Sequence, residues 1–305
     1  MRALVTGGAG FIGSHLVDAL LTEGADVDVL DDLSTGRREN LEGALARGAR
    51  LHVATVTDPD EIAGVCHAAR PDVVFHLAAQ IDVRRSVEDP AFDATANVTG
   101  TVNVLEAARR AGVRRLVLAS TGGALYGDAE TIPTPEGAPI IALSPYGASK
   151  AAAESYLGLY TRLHGLSTVA LRLANVYGPR QDPHGEAGVV AIFCGAAHTG
   201  LPATVFGDGL QTRDYLYVGD VVTAFVAAAA ASVTGALNVG TGVQTSVLDL
   251  AEALELAVVH AAGRPGEVAR SCLDAAAARE AIGWRPRTPL RDGLRLTLEA
   301  VGAAA

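Results

Sequence analysis

The stretch "TGGAGFIG" at residues 6–13 constrains the fold most strongly, because it joins a strand-like run to a helix-like one. Gly7, Gly10 and Gly13 recur at every third position, directly after the apolar run at 2–7. Glycine permits a tight turn and a close approach of the backbone to a diphosphate, which the N-terminus of the following helix attracts. A strand, this turn and a helix in this order predict a dinucleotide-binding site.

Short apolar runs alternate with longer amphipathic ones through the first half of the chain. In the run after the glycine turn, Ile12, Leu16 and Leu20 recur at helical spacing. This alternation predicts parallel strands joined by right-handed crossovers. We therefore predict an α/β fold, a doubly wound parallel Rossmann sheet with a smaller, interleaved C-terminal substrate-binding domain. The predicted strands are residues 2–7, 26–32, 71–79, 114–121 and 167–175.

The second predicted strand ends in Asp31 and Asp32, at the offset where a carboxylate accepts hydrogen bonds from an adenosine ribose. A carboxylate there repels a 2′-phosphate, so NAD is the predicted cofactor rather than NADP. Arg37 and Arg38 follow nearby, and we interpret them as solvated loop charges.

A tyrosine and a lysine stand four residues apart in the stretch "LSPYGASKAAAES". Ser144 and Pro145 predict the start of a helix, which places Tyr146 and Lys150 one turn apart on one face. A nearby ammonium and the positive nicotinamide of NAD⁺ lower the pKa of a phenol from about 10. Tyr146 is therefore a candidate general base. We expect the helix to end near Gly165, because glycine favours the left-handed conformation that ends helices.

Two hydroxyl side chains, Ser120 and Thr121, come at the end of the fourth predicted strand. Ligands bind at the carboxyl ends of strands in open α/β sheets. A hydroxyl at this point could hydrogen-bond the reacting oxygen of a substrate beside Tyr146.

Composition excludes several other classes of function. The 305 residues carry a formal net charge of −10, which argues against general binding to nucleic acid or anionic membranes. The longest apolar run, at 224–233, is shorter than the roughly 20 residues that span a bilayer. Glycines come too early at the N-terminus for a signal peptide. Cys66, Cys194 and Cys272 form no Cys-x-x-Cys pair, and the histidines show no ligand spacing. We predict a reduced, cytoplasmic, metal-free protein.

The motifs "TGGAGFIG", "DVVFHLAA", "STGGALYG" and "YGASK" follow one another in that order. The chain continues with "LRLANVYGPRQDPHGEAGVV", "GDGLQTRDYLYVGDV", "LNVGTG", "RPGEV" and "IGWRPRTPLRDGL". In this ordered set the chain resembles the extended short-chain dehydrogenase/reductase family, specifically its nucleotide-sugar 4-epimerases. The resemblance covers essentially the whole chain.

This resemblance implies a role for each matching position. Tyr146 is the implied base, Lys150 lowers its pKa and holds the nicotinamide ribose, and Thr121, with Ser120 as the alternative, is the hydroxyl partner. The implied NAD contacts are Gly7, Gly10, Phe11, Ile12, Gly13, Asp31, Asp32, Ser34, Thr35, Gly36, His76, Leu77, Ala78, Ala79, Gln80 and Asn97, together with Tyr146 and Lys150. The implied substrate contacts are Asn175, Val189, Arg213, Arg264 and Glu267. A forked guanidinium suits the diphosphate of a nucleotide sugar.

The chain departs from the family pattern at two places. Ala54 and Thr55 stand where Gly-Asp is usual, so the contact of an aspartate with adenine is in doubt. The segment "STGGALYG" is one residue longer than the commoner form, which leaves Ser120 and Thr121 as alternatives.

A further position separates the relatives by their chemistry. Gly122 and Gly123 replace the acidic residues that sugar dehydratases and decarboxylases usually carry there. The resemblance therefore implies oxidation and re-reduction at one carbon, without elimination or decarboxylation.

The implied reaction is C4 epimerisation of a UDP-hexose through a transient 4-keto sugar, with NAD resident in the site. UDP-glucose and UDP-galactose are the expected pair. UDP-glucuronate and UDP-galacturonate are the alternative, and N-acetylated sugars stay open. The candidate donors to a uronate carboxylate are Arg84, Arg85 and the hydroxyls of Ser120 and Thr121. Remoter alternatives are an NADPH-consuming nucleotide-sugar reductase and an NAD-binding sensor without turnover.

The expected domains are interleaved. Residues 1–174 form the NAD-binding Rossmann domain, to which 213–240 return, and 175–212 with 241–305 form the nucleotide-sugar-binding domain. Family analogy favours a homodimer formed through the alanine-rich helices at 95–111 and 145–164. In the second half, Ser246 and Asp249 predict a capping box at the start of a helix.

Overall fold

The structure is a computed structural model that describes residues 1–183, 188–263 and 268–304. Its strands are β1 (Arg2–Thr6), β2 (Asp26–Asp31), β3 (Arg50–Val53), β4 (Val73–His76), β5 (Arg115–Thr121), β6 (Ser167–Leu173), β7 (Asn175–Tyr177), β8 (Ala203–Phe206), β9 (Thr212–Arg213), β10 (Tyr215–Tyr217), β11 (Gly235–Val239), β12 (Thr245–Ser246) and β13 (Val258–Ala261). Its α-helices are α1 (Phe11–Thr22), α2 (Glu42–Ala46), α3 (Pro59–Ala69), α4 (Val83–Glu88), α5 (Pro90–Ala94), α6 (Gly100–Arg110), α7 (Pro145–His164), α8 (Val189–Thr199), α9 (Val218–Ala230), α10 (Val247–Ala253), α11 (Ala276–Ile282) and α12 (Leu290–Ala304). A 3₁₀ turn spans Arg38–Leu41, and a π-helical turn at Thr95–Thr99 leads into α6.

Seven strands form one parallel sheet in the order β11–β6–β5–β4–β1–β2–β3. On one side of β1 the sheet continues with β2 and β3. The chain then returns to the other side of β1 with β4, and β5, β6 and β11 extend the sheet from there. The reversal between β1 and β4 is the switch point of a doubly wound sheet, where a crevice opens at the carboxyl ends of the strands. The predicted fold class is confirmed.

Apolar side chains cover both faces of this sheet, because alternate residues of a buried parallel strand point in opposite directions. In β1, Val5 joins one cluster with Leu16 of α1 and Phe225 of α9. Its neighbour Leu4 joins a second cluster with Leu105 of α6. Helices on both faces thus hold the sheet rigid behind its carboxyl edge.

Helix α7 begins and ends where its sequence predicts. The Ser144 side chain caps it by accepting a hydrogen bond from Gly147 N at 3.2 Å, and Pro145 occupies the first turn. Gly165 ends the helix in the left-handed conformation, with φ of 67°. The predicted capping box at Ser246 and Asp249 is present at the start of α10.

The strand predicted at 167–175 is wrong at its end, since two strands occupy this range. Strand β6 stops at Leu173, and Asn175 opens β7, which pairs with β10 outside the main sheet. Ala174 N still donates to Val239 O of β11 at 2.9 Å. The largely apolar run at 167–175 does not show where the chain passes from one sheet to the other.

A smaller region is built on the later elements. Strands β8 and β13 pair in parallel, and α8 and α12 pack beside them around a third apolar cluster that includes Phe193 and Leu294. The chain reaches this region after β7, returns to the main sheet with α9 and β11, and then leaves it again. In the described ranges, no helix is both long enough and apolar enough to cross a membrane.

Candidate active site

The glycine turn leaves no room for side chains at two of its positions. Gly7 has φ of +70°, and a Cβ there would lie 2.6 Å from Ala78 N, in the segment after β4. A Cβ on Gly13 would overlap the carbonyl oxygen of Gly7. The turn is therefore pressed against the carboxyl end of β4.

The first turn of α1 is formed by the predicted contacts Gly10, Phe11 and Ile12. Gly10 is its N-cap residue, and within the described residues no side chain caps this helix. The first N–H groups of a helix have no partner inside it and favour a negatively charged group. This end of α1 fits the diphosphate of a dinucleotide.

Asp31 is buried at the end of β2 and organises the loop that follows. Its Oδ2 accepts a hydrogen bond from Ala9 N and its Oδ1 accepts one from Leu33 N, each at 2.9 Å. Burial raises the pKa of Asp31. A carboxylate has about four acceptor positions, so two remain for ligand hydroxyls.

The other predicted residues of this segment are Asp32, Ser34, Thr35 and Gly36. The Asp32 Oδ1 accepts a hydrogen bond from Ser34 N at 2.9 Å. A Cβ on Gly36 would lie 2.6 Å from Asp31 Oδ1, so the loop closes around that carboxylate.

Arg37 is a largely solvated charge, as expected, since its side chain is 60% exposed. It also forms a surface ion pair with Asp182, with 2.5 Å between Nη2 and Oδ2. Two further contacts run beside this pair, from Arg180 to Asp18 at 2.8 Å and from His15 Nε2 to Pro179 O at 2.8 Å. Residues 179–182 thus link the substrate-side loop to α1 and the loop after β2.

The segment of Leu77, Ala78, Ala79 and Gln80 follows β4, and Asn97 fixes its last residue. Asn97 Oδ1 accepts a hydrogen bond from Gln80 N, and Nδ2 donates to Gln80 O, both at 2.9 Å. Asn97 lies in the π-helical turn and is 2% exposed. Its amide therefore shapes the cofactor-side segment through protein contacts.

His76 does not line the ribose side, contrary to the expectation. Its ring lies in the core between Thr6 Oγ1 at 2.7 Å and Thr101 Oγ1 at 3.1 Å. Burial and the nearby Lys150 lower the pKa of His76 to about 3. The alternation of side chains along β4 explains the error, since only every second residue can point toward one face.

Lys150 and Tyr146 meet on one face of α7, as predicted. Lys150 Nζ lies 5.9 Å from the centroid of the Tyr146 ring and donates to Ala119 O of β5 at 3.0 Å. Burial lowers the pKa of Lys150 to about 8, against the opposing charges of Asp93 and Glu154. Lys150 is also the only lysine of the chain, and the other strongly basic side chains are all arginines.

Tyr146 is a neutral phenol in this environment. Burial and the charge of Asp93 raise the pKa of Tyr146, while a hydrogen bond with the Thr121 side chain lowers it. A positive charge beside the ring is needed before Tyr146 can act as a base near neutral pH.

The two adjacent hydroxyls at the end of β5 point to different partners. Thr121 hydrogen-bonds Tyr146, and its Oγ1 accepts from Ala124 N at 3.2 Å. Ser120 Oγ instead donates to Glu154 Oε1 at 2.5 Å. The arrangement therefore brings Thr121 to the tyrosine and turns Ser120 away from it.

A buried ion pair supports this strand end, and sequence analysis missed it. Arg172 of β6 forks onto Glu154, with 2.7 Å between Nη2 and Oε2, and both side chains are at most 10% exposed. Arg172 Nη1 also donates to Tyr126 Oη at 2.7 Å. The helical spacing of Lys150 and Glu154, one turn apart, was the available signal.

Gly122 and Gly123 differ in the space around them. A Cβ on Gly122 would overlap the Leu273 side chain, whereas a Cβ on Gly123 would have Asn175 Oδ1 at 3.7 Å as its nearest neighbour. A side chain at position 122 therefore requires the Leu273 side chain to move.

On the substrate side, Asn175 and Val189 line one cavity of about 220 Å³ together with Tyr177, Gln181 and Tyr215. Arg213 lies on β9, where its Nη1 donates to Thr212 O at 2.9 Å. The other two predicted contacts, Arg264 and Glu267, lie outside the described residues.

Asp214 organises the loops beside these residues. It is 1% exposed and accepts hydrogen bonds from Thr241 N at 2.9 Å, Gly242 N at 3.2 Å and Leu273 N at 3.2 Å. Its own carbonyl accepts from Asn175 N at 2.9 Å. One buried carboxylate thus joins three chain segments of the substrate side, which the sequence pattern did not reveal.

Near β3, Thr55 stands where the family pattern has an aspartate. Thr55 N donates to Glu61 Oε2 at 2.7 Å, and Thr55 Oγ1 lies 3.0 Å from Thr57 Oγ1. A carboxylate therefore does stand close to this position, supplied by α3. Among the described residues, no group of three or more histidine, cysteine or acidic side chains is arranged to hold a metal ion.

Comparison with known proteins matches residues 3–240 to the model of the NAD-dependent epimerase/dehydratase family. UDP-glucose 4-epimerase of Mycolicibacterium smegmatis is 50% identical, over 98% of each chain. Among solved structures, UDP-glucose 4-epimerase of Thermotoga maritima with UDP-glucose superposes with a TM-score of 0.96 at 43% identity, over 100% of this chain and 99% of that one. UDP-glucose 4-epimerase of Thermus thermophilus in complex with NAD gives a TM-score of 0.92 at 46% identity, with both chains fully covered.

Proposed function

The chain belongs to the NAD-dependent epimerase/dehydratase family, and on this premise we propose that it inverts C4 of a UDP-hexose, with UDP-glucose and UDP-galactose as the pair. The observation that carries the proposal is the joining of Thr121, Tyr146 and Lys150 at the carboxyl edge of the sheet. A hydroxyl and a phenol with an ammonium nearby can take up and return the proton of an alcohol whose hydride passes to and from NAD.

The residues of the first half suit NAD. Gly7 and Gly13 leave a side-chain-free surface at the N-terminus of α1 for the diphosphate, and Asp31 keeps acceptor positions for ribose hydroxyls. Asp31 at the end of β2 supports NAD over NADP, because a carboxylate there repels a 2′-phosphate. Bound NAD⁺ supplies a reversible hydride acceptor, so the sugar passes through a transient 4-keto form and the cofactor is regenerated in each turnover.

The chain's own groups then have separate tasks. Tyr146 accepts the proton of the sugar 4-OH. It returns the proton after the keto sugar has rotated in the site to present its opposite face. Thr121 holds the reacting oxygen beside Tyr146, and the charge of Lys150 favours the phenolate. Asn175 and Val189, which line one cavity, and Arg213 on β9 anchor the UDP portion while the hexose end is held loosely.

Gly122 supports epimerisation over elimination or decarboxylation. Those reactions need an additional acid or base near the sugar, and Gly122 and Gly123 carry no such group. The uronate alternative has less support, since the Arg85 guanidinium lies 4.1 Å from the centroid of the Phe92 ring, on which it stacks.

Incubation of the purified protein with UDP-glucose, UDP-glucuronate and UDP-N-acetylglucosamine in separate reactions, without added NAD, tests the proposal. We expect UDP-galactose to form from UDP-glucose, with deuterium at C4 retained in the product, as followed by NMR. Faster inversion of the uronate or the N-acetylated sugar would overturn the substrate assignment. Loss of the C4 deuterium to water would overturn the mechanism.

The assembly that we propose is a homodimer formed through α6 and α7. The outer face of α7 exposes Tyr156, Leu159 and Leu163, at 38%, 37% and 66%. These residues form an apolar stripe at helical spacing, which a second copy would cover. Light scattering of the Leu163→Glu variant tests this, since we expect the dimer mass to fall to the monomer mass while the exposed Leu201→Glu control keeps it.

A cytoplasmic location is proposed on the state of the cysteines. Cys66, Cys194 and Cys272 are buried as free thiols. Burial raises the pKa of each one, so they are poor nucleophiles for disulfide exchange. Fractionation of the cells that produce the protein tests this location. Finding the protein in the periplasm or in the medium would contradict it.

A further inference from the structure

Two buried carboxylates flank Lys150, and only one of them has a cationic partner of its own. Glu154 is paired with Arg172, whose Nε lies 3.1 Å from each carboxylate oxygen and whose Nη2 lies 2.7 Å from Oε2. Much of the charge of Glu154 is therefore compensated before it reaches Lys150.

Asp93, by contrast, has only neutral hydrogen-bond donors. It lies in α5, is 0% exposed, and accepts from Gln80 Nε2 at 2.9 Å, Asn97 Nδ2 at 3.0 Å and Ser149 Oγ at 2.7 Å. No ion pair in the described part of the chain includes Asp93. A buried carboxylate without a counter-ion is costly unless a nearby charge offsets it.

The three donors connect Asp93 to both sides of the candidate site. Ser149 precedes Lys150 on α7, while Gln80 ends the cofactor-side segment after β4. Asn97 holds the backbone of Gln80 and donates to the same carboxylate. Asp93 thus lies where the catalytic helix and the cofactor-side segment meet.

On the basis of the proposed epimerase function, we propose that Asp93 is a positioning residue: its uncompensated charge keeps Lys150 an ammonium, and its hydrogen bonds fix α7 against the segment at Gln80. Nothing in the sequence motifs points to this residue. Its role follows from burial, from the neutral donors and from the pairing of Glu154 with Arg172.

The other charged groups around the pair do not replace Asp93. Lys150 faces the carbonyl of Ala119 on β5 and neutral His76 on β4, in addition to Glu154 on its own helix. Tyr146 faces the neutral Thr121 hydroxyl. The charge of Asp93 raises the pKa of both Tyr146 and Lys150. Its removal should therefore shift both groups in the same direction, toward lower pH.

The Asp93→Asn variant separates charge from hydrogen bonding. Asparagine Oδ1 can still accept from Gln80 and Asn97, and its Nδ2 can donate to Ser149 Oγ, because a hydroxyl also accepts. Ser149→Ala is the matched control, since it removes one hydrogen bond of Asp93 and leaves the charge. Asp93→Ser is the second neutral variant, should asparagine prevent folding.

The sole lysine allows a direct measurement that does not need turnover. In the holoenzyme grown with ¹³C-labelled lysine, the single side-chain Cε resonance reports the titration of Lys150. Because burial lowers the pKa of Lys150, we expect the wild-type midpoint to lie well below that of an exposed lysine. We expect it to fall by roughly one pH unit in Asp93→Asn and by less than about 0.3 unit in Ser149→Ala.

The pH profile of kcat gives the second readout. Above its pKa Lys150 loses its proton, so activity falls on the alkaline side, and in Asp93→Asn we expect both limbs to move to lower pH. A lysine midpoint unchanged in both neutral variants, or shifted equally in Ser149→Ala, would overturn the role of charge. If no UDP-sugar turns over, the lysine titration still decides the role of Asp93, so the two proposals fail separately.

Discussion

Asp93 and Asp214 organise the two sides of the site with different kinds of donor. Asp93, which lies in α5 and faces α7, accepts only from the side chains of Gln80, Asn97 and Ser149. Asp214, between β9 and β10, accepts mainly from the backbone N–H groups of Thr241, Gly242 and Leu273. Both are almost completely buried.

This difference suggests that Asp93 acts through its charge, whereas Asp214 acts by holding the backbone of the surrounding loops in place. An amide or hydroxyl donor can reorient when its acceptor changes, whereas a backbone N–H can only donate. The backbone donors around Asp214 therefore demand an acceptor, and loss of one leaves buried groups unpaired. Substitutions on the catalytic side should change the rate, and those on the Asp214 side should change stability and substrate affinity.

The largest effect is expected for Tyr146→Phe. Removal of the hydroxyl removes the general base, so we expect kcat to fall by about 10³-fold, within the range of such groups. The melting temperature and the NAD content of the purified protein should stay close to wild type, because the ring still fills its site. Initial rates by coupled assay, with NAD released by acid and quantified, check both. Turnover near the wild-type rate would remove Tyr146 from the mechanism.

Asp214→Asn should give the second largest effect, on stability. In either orientation of the new amide, its Nδ2 would face the N–H of Thr241, which donates to both carboxylate oxygens, and we expect the free energy of unfolding to fall by about 3 kcal/mol. Urea denaturation measures it, with KM for the UDP-sugar as the second readout. Asp93→Asn is the control, with an expected loss below about 1 kcal/mol. Equal losses in the two variants would erase the distinction between the two carboxylates.

Thr121→Ala and Ser120→Ala form the next pair. Thr121 contacts Tyr146, so its loss should lower kcat about 30-fold, while the Ser120 variant should stay within about threefold. Ser120 contributes instead to the position of Glu154. Steady-state kinetics on both variants decide between them. A larger loss of kcat in Ser120→Ala would reverse the assignment of the two hydroxyls.

Gly122→Ala tests where the two sides touch. Its Cβ would meet the Leu273 side chain, whose backbone is held by Asp214, so overpacking should cost about 1–2 kcal/mol of stability. Gly123→Ala is the matched control, because its nearest contact lies at an ordinary 3.7 Å, and we expect a change within about 0.5 kcal/mol. Thermal melts of both variants measure the difference, and equal melting temperatures would show that Leu273 yields.

Sequence analysis succeeded where the signal is local. The glycine turn, the capping serine of α7 and its terminal Gly165 each depend on a few neighbouring residues, and the structure forms all three. The parallel order of the sheet followed from alternating strands and helices. These features can be predicted from short stretches of sequence because the interactions that form them join residues close together in the chain.

The errors and omissions depend on tertiary partners. The break between β6 and β7 lies inside one continuous strand-like segment. His76 belongs to a motif that does not show which face of the sheet its ring points to. Asp93 and Asp214 look like ordinary acidic residues until the donors around them are known. Only the fold brings those donors together.

The composition of the basic residues has a practical consequence for labelling. Since Lys150 is the only lysine and is 4% exposed, an amine-reactive dye or support finds no accessible ε-amino group on the folded protein. Such reagents are confined to the α-amino group and attach at one point. The same chemistry becomes a reporter of unfolding, because a second attachment requires the active-site helix to open.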